Sequence, residues 1–208
     1  MNAYVLAGGL STRMGRDKAL VEFRGRLLIE HALAKLRSLG FAAAIAGNRP
    51  DLARYAPVIA DNYPVSGPLG GIEAALAASD QDLNLFLPVD LPLLPVEFLR
   101  WMAVRAGQTA ALATIPRLQG HPHPLCAVYH RAVLPHAQSA LAAGDGKVMR
   151  AVERASIATG SAVDAFDIET VAASSAWPQR PPVHRWFQNL NTPGDLEKAA
   201  LEETAIIH

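Results

Sequence analysis

A single α/β domain built on a mostly parallel sheet is the fold class this sequence predicts. Short apolar strand runs alternate with segments of helical spacing through its first half. Several of those runs stop at glycine or aspartate. Half of the 208 residues are apolar, enough for one core of ordinary domain size. Strands separated by helices pair in parallel, and such sheets take ligands at the carboxyl ends of their strands. Gly8, Gly9, Asp61 and Asp90 fall at those ends.

The elements follow in order. Residues 3–6 form an apolar first strand that runs into paired glycines, and 19–23 form a short extension turned at Arg24-Gly25. Leu28, Ala32, Leu36 and Leu39 share one face of a helix over 27–39, which Gly40 closes. The second strand is 41–46 and the third 57–60. A helix over 70–79 precedes the fourth strand, 83–87, and a helix over 95–106 opens on a proline. The second half is less regular. Strands at 109–115 and 125–129 flank a loop holding Gly120, Pro122 and Pro124. A helix over 134–143 ends at Gly144-Asp145-Gly146, before a segment at 147–154. Pro178, Pro181 and Pro182 make 177–182 a loop, since proline donates no ladder bond. Residues 185–188 are expected to return to the main body. Thr192 and Pro193 then start a final helix as N-cap and first-turn proline.

Lysine plus arginine equals aspartate plus glutamate at 19 each. A net charge of zero argues against bulk capture of nucleic acid or an anionic membrane. It leaves room for a local basic pocket around Arg13, Arg16 and Lys18. Cys126 is the only cysteine, which excludes a disulfide framework and a thiolate metal cluster. The apolar start is too short for a signal peptide or a membrane span, so a reducing cytoplasm is the expected setting.

The segment Leu6-Ala7-Gly8-Gly9-Leu10-Ser11-Thr12-Arg13-Met14-Gly15-Arg16-Asp17-Lys18 carries the sharpest chemistry. Glycines after a buried strand let backbone N–H groups turn inward as a nest for phosphate oxygens. Arg13 and Lys18 add positive charge suited to a polyphosphate, and Mg²⁺ is expected nearby. The spacing fits neither of the two commoner phosphate loops. In Pro88-Val89-Asp90-Leu91-Pro92 a carboxylate follows a buried strand between prolines; Asp90 either ligates Mg²⁺ or caps the helix that follows. The exit running from Asp61 through Gly67 to Gly70 and Gly71 is either a plain turn or a place where a base or sugar meets backbone. In the second case Asp61 bonds a ribose hydroxyl or base edge. His121 and His123 lack a third metal ligand and read better as part of a rigid loop. Cys126 reads as core. Lys147 and Arg150 either meet an anionic second substrate or form a solvated helix face. Asn189 and Asn191 project to one side, toward Mg²⁺ or a phosphate-bound water, or else make Asx turns before a helix.

Together these segments resemble the molybdenum cofactor guanylyltransferases, MobA-like nucleotidyltransferases that join GMP from GTP to molybdopterin. The similarity is strongest over residues 6–18, 67–71, 87–92 and 189–196, and weaker matches extend it over nearly the whole chain. It implies a Rossmann-like three-layer α/β/α nucleotidyltransferase fold. Residues 1–106 would form the nucleotide-binding half and 107–208 the molybdopterin-binding half. It further implies that Gly8, Gly9 and Lys18 hold the triphosphate and that Asp61 meets the nucleoside, with Leu6, Ala7, Gly67 and Gly71 as further binding positions. Asp90 binds Mg²⁺, with Arg13 and Lys18 as its catalytic companions. Relatives carry an asparagine at the end of the second strand where this chain has Ala46, so Asn48 stands in for it. The sister cytidylyltransferases, which use CTP, tend toward aspartate where this chain has Asn189 and Asn191; those amides favour guanylyl transfer. A non-catalytic nucleotide- or cofactor-binding module is the alternative from another class, and Asp90 in its proline frame argues against it. The expected partners are GTP, molybdopterin and, transiently, proteins that deliver molybdopterin or receive the product.

Overall fold

The computed structural model describes residues 1–8, 17–63, 67–175, 177 and 181–189. Its strands are β1 (Asn2–Leu6), β2 (Glu22–Phe23), β3 (Arg26–Leu27), β4 (Ala43–Ala46), β5 (Val58–Ile59), β6 (Leu83–Pro88), β7 (Ala113–Leu118), β8 (His121–Pro122), β9 (Ala127–His130) and β10 (Val163–Asp167). The α-helices are α1 (Leu28–Ser38), α2 (Gly67–Ala78), α3 (Val96–Thr109), α4 (Leu134–Ala142), α5 (Val148–Thr159) and α6 (Ile168–Ala173).

One sheet runs in the order β10-β7-β9-β6-β1-β4-β5, with β8 on the side of β7. Pairs β1–β4, β1–β6, β4–β5 and β7–β10 are parallel, whereas β9 runs against both of its neighbours. The alternation of side chains along a strand sorts the core into two faces. From β1, Ala3 and Val5 join the cluster beneath α1, α3 and α6; Tyr4 and Leu6 join the one beneath α2, α4 and α5. Leu85 and Leu87 of β6 point to the first face and Phe86 to the second. Central strands buried on both faces make the three layers that the resemblance implied.

Several boundaries moved, for local reasons. Helix α2 begins at Gly67 rather than residue 70. Gly67 adopts φ +60°, and Pro68 fits the first helical turn. Helix α3 continues past Gly107 to Thr109, so β7 starts at Ala113 and not at 109. A mid-helix glycine costs only about 1 kcal/mol, which the buried face of α3 outweighs. Residues 18–20 form a 3-10 turn capped by Asp17, where an extension had been expected; β2 and β3 then make a small hairpin. Strand β10 and helix α6 were not anticipated.

The return of residues 185–188 is observed. Trp186 is fully buried, donates from Nε1 to the Pro181 carbonyl at 2.7 Å and packs on Phe98. The final helix expected from Thr192 lies outside the described residues. Among the described residues, no helix is long and apolar enough to cross a membrane.

Candidate active site

The strand order reverses at β1, which has β4 on one side and β6 on the other. Beyond the carboxyl ends of β1, β4, β5 and β6 opens a cleft of about 330 Å³. Leu6, Ala7, Gly8, Lys18, Asp61, Gly67, Gly71 and Asp90 line it, so the structure brings these eight residues together from five separate stretches of sequence. Gly9, Arg13 and Asn191 lie outside the described residues. Asn48 is exposed and lies outside the cleft lining, while its neighbour Arg49 is buried and lines it.

Lys18 and Asp90 meet across the cleft. The Lys18 ammonium donates to Asp90 Oδ2 at 3.2 Å, and both side chains are largely shielded from water. Asp90 does not cap α3, whose N-cap is Pro95. The Val89 amide donates to the Leu6 carbonyl at 3.2 Å, which ties the exit of β6 to that of β1.

Asp61 has a different environment. Its Oδ1 is buried with no hydrogen-bond partner, and its carboxyl titrates above the usual range, chiefly through burial and then through the charge of Glu73. Glu73, on α2, is 1% exposed and fully engaged. It accepts from the amides of Asn62 at 3.0 Å and Gln138 at 2.9 Å. A Cβ on Gly71 would meet Leu6 Cδ2 at 3.5 Å and Ala46 at 3.6 Å, so this glycine packs α2 against β1 and β4.

Sequence reasoning missed Asp17, Gly47 and Arg49. Arg49, 8% exposed, holds both carboxylate oxygens of Asp17, both of Asp51, and the Ala7 carbonyl at 3.4 Å. It therefore joins the residue before Lys18 to the exits of β1 and β4. Gly47 has φ +136°, and a Cβ there would lie 2.9 Å from the Gly8 nitrogen. Only glycine allows these two loops such a close approach. The one available signal was a glycine directly after an apolar strand, the pattern already used at Gly8.

A second cavity, about 310 Å³, shares Pro88, Asp90 and Leu125 with the cleft. Pro122, His123, Pro124 and Asn189 also line it. His123 packs on Phe187 at a tilt of 37° with ring centres 4.1 Å apart, and burial followed by the charge of His121 lowers its pKa. Among the described residues no cluster of three His, Cys, Asp or Glu side chains could cage a metal. Cys126 is a buried core thiol pushed up to about 12 by desolvation. Arg150 pairs with Asp145 at 3.3 Å on an exposed helix face, and neither it nor Lys147 lines either cavity.

A three-layer sheet with glycine-lined strand exits and a lysine–aspartate pair facing one switch-point cleft is the architecture of a nucleotidyltransferase. The chain belongs to the MobA-like NTP transferase domain family, whose model matches residues 3–159. It is 33% identical to the molybdenum cofactor guanylyltransferase of Photobacterium profundum, over 93% of this chain and 92% of that one. The corresponding protein of Syntrophotalea carbinolica is 32% identical over 95% and 89%. The crystal structure of molybdopterin-guanine dinucleotide biosynthesis protein A from Archaeoglobus fulgidus superposes with a TM-score of 0.76 at 25% identity. That match covers 99% of this chain and 100% of the other.

Proposed function

We propose that this enzyme transfers GMP from GTP to molybdopterin, forming the guanine dinucleotide of the molybdenum cofactor and releasing pyrophosphate. The observation that carries the reading is the Lys18–Asp90 pair beside the glycine exit of β1, in a chain whose relatives bear that activity in their names. Lys18, Arg13 and the N–H groups of Leu6 to Gly9 receive the triphosphate, and Asp61 receives the nucleoside. The terminal phosphate oxygen of molybdopterin attacks the α-phosphorus in line, the bond from that phosphorus to the bridging oxygen breaks, and pyrophosphate leaves. A phosphate monoester is already ionised near neutral pH, so no strong general base is needed. Rate enhancement comes from positioning and from charge neutralisation at the phosphates.

The donors in the cleft fit Mg²⁺. Asp90 offers hard carboxylate oxygens, and among the described residues such groups are too few for an all-protein cage. That suits an ion which keeps waters and takes substrate phosphate oxygens. Asp90 would hold it, and bound there it would supply further positive charge to the triphosphate. We assign residues 1–106 to the nucleotide and 107–208 to molybdopterin, with the acceptor's phosphate end in the second cavity beside Asn189. We take the compartment to be the cytoplasm, with transient contacts to molybdopterin-delivering and molybdenum-enzyme partners.

The test is pyrophosphate release with Mg²⁺, molybdopterin on a carrier protein, and either GTP or CTP. Release with GTP alone is expected. Release with CTP alone would assign the chain to cytidylyl transfer, and silence with both would leave a binding module.

A further inference from the structure

We propose that Lys35, a residue outside the cleft lining, is a positioning residue for Asp90. The end of β6 and the segment after it are short of backbone donors, because Pro88, Pro92 and Pro95 carry no N–H. Its carbonyls still need partners, and Leu91, Leu93 and Leu94 are buried. Lys35 reaches them from α1. Its ammonium donates to the carbonyls of Leu91 at 3.4 Å, Pro92 at 2.6 Å and Leu94 at 2.5 Å. Three N–H donors meet three carbonyls, which is the full capacity of an ammonium.

This arrangement fixes both sides of Asp90. On the preceding side, the Val89 amide is tied to Leu6 in the sheet. On the following side, the very next carbonyls are gathered onto one charge. The carboxylate between these anchors is therefore presented at a set position to Lys18 and to incoming phosphates. Removing a direct hydrogen-bonding partner of a ligating group changes metal affinity or activity by about 10- to 100-fold, and Lys35, which acts one step further out through the backbone, is expected at the low end of that range. A lysine that only stabilised the loop would alter the unfolding temperature and nothing else.

The inference rests on the reading of Asp90 as the phosphate-side carboxylate, and the experiment separates the two. GTP affinity is measured by calorimetry with and without Mg²⁺ in Lys35→Met, Asp90→Asn and the double variant; kcat and KM come from pyrophosphate release, with thermal unfolding alongside. In Lys35→Met we expect kcat to fall about tenfold and the Mg²⁺-dependent gain in GTP affinity to shrink by a similar factor. Affinity without Mg²⁺ should stay unchanged. In the Asp90→Asn background, adding Lys35→Met should change neither quantity further, since coupled residues are not additive. If Lys35→Met does not fold, Lys35→Gln, whose amide keeps two N–H donors, carries the same comparison with a smaller loss. Wild-type kcat and Mg²⁺ response in the Lys35 variant, beside a damaged Asp90→Asn, overturns the inference. Wild-type behaviour in Asp90→Asn overturns the underlying reading instead.

Discussion

Two carboxylates stand at strand exits on opposite sides of the β1–β4 pair, and the structure treats them in opposite ways. Asp90, after β6, is paired with Lys18 at 3.2 Å, and its loop is stiffened by prolines and tied down by Lys35. Asp61, after β5, keeps a buried oxygen with no partner and sits near the charge of Glu73. One exit is preorganised and electrostatically settled. The other holds a charge whose environment resists it. Unsatisfied polar groups of this kind concentrate at functional sites, where a ligand completes them. Under the proposed function the contrast becomes a division of labour, in which Asp90 would keep the phosphates in register and Asp61 would take hydrogen-bond donors from the nucleoside.

The strongest way to break that contrast is at the settled exit. Asp90→Ala or Lys18→Ala should each lower turnover at least about 100-fold, the scale of losing one preorganised electrostatic contact to a transition state. Circular dichroism should still report a folded protein, because a partly exposed pair contributes only ~1 kcal/mol. Near-wild-type pyrophosphate release in either variant would remove that residue from the mechanism. Next in size is Gly47→Val. The new side chain would meet Gly8 backbone at about 3 Å in a φ +136° conformation. A loss of roughly 2–3 kcal/mol is expected, through backbone strain and a contact that cannot relax. Urea denaturation measures it, and an unchanged midpoint would mean the two loops separate freely.

Much of this site was legible because strand exits have a local signature. An apolar run followed by glycine or aspartate identifies Gly8, Asp61 and Asp90 without any knowledge of the fold. Arg49 had no such signature. Its role depends on Asp17 and Ala7, residues far from it in sequence and brought close only by the pairing of β1 with β4. Asn48, the more suggestive side chain on paper, is exposed and lies outside the cleft lining. Lys35 was hidden for a related reason: a lysine on an amphipathic helix normally reads as solvated surface. The missed β10 is an edge strand with only Phe166 buried, and its Asp164 and Asp167 pair with Arg105 and Arg117 instead of alternating with apolar residues. Hydrophobic periodicity is weak for such a strand.

The unsettled exit offers a finer test, because its two effects have opposite signs. The Asp61 carboxyl titrates above its ordinary value of 3.8 in the folded protein. Between that value and the folded one, the native state binds a proton that the unfolded chain does not, so stability falls as pH rises through the window. Above it the cost of the charged form persists in full. Because the amide removes the charge and keeps a polar atom in place, Asp61→Asn should stabilise the nucleotide-free protein at neutral pH by no more than ~1 kcal/mol. That corresponds to about 2–4 °C in the unfolding midpoint. The advantage should vanish as the pH is lowered below the ordinary carboxylate range. GTP affinity should meanwhile fall about tenfold, the scale of a charged hydrogen bond. A gain in stability without a loss in affinity would mean that Asp61 serves the fold alone.

The smallest effect expected is at Gly71, and it decides whether the second glycine exit serves the ligand or the packing. If Gly71 were needed for a base or sugar to approach the backbone, Gly71→Ala would weaken GTP binding and leave folding alone. The direction of its missing Cβ argues otherwise. That atom would rest against Leu6 and Ala46 at ordinary contact distances, inside the layer between α2 and the sheet. Alanine is also the better helix former, so the variant should be neutral or stabilised by about 0.5 kcal/mol, with GTP affinity within about twofold of the wild type. A tenfold loss of affinity at unchanged stability would return Gly71 to the nucleotide site and place the sugar or base directly over the first turn of α2.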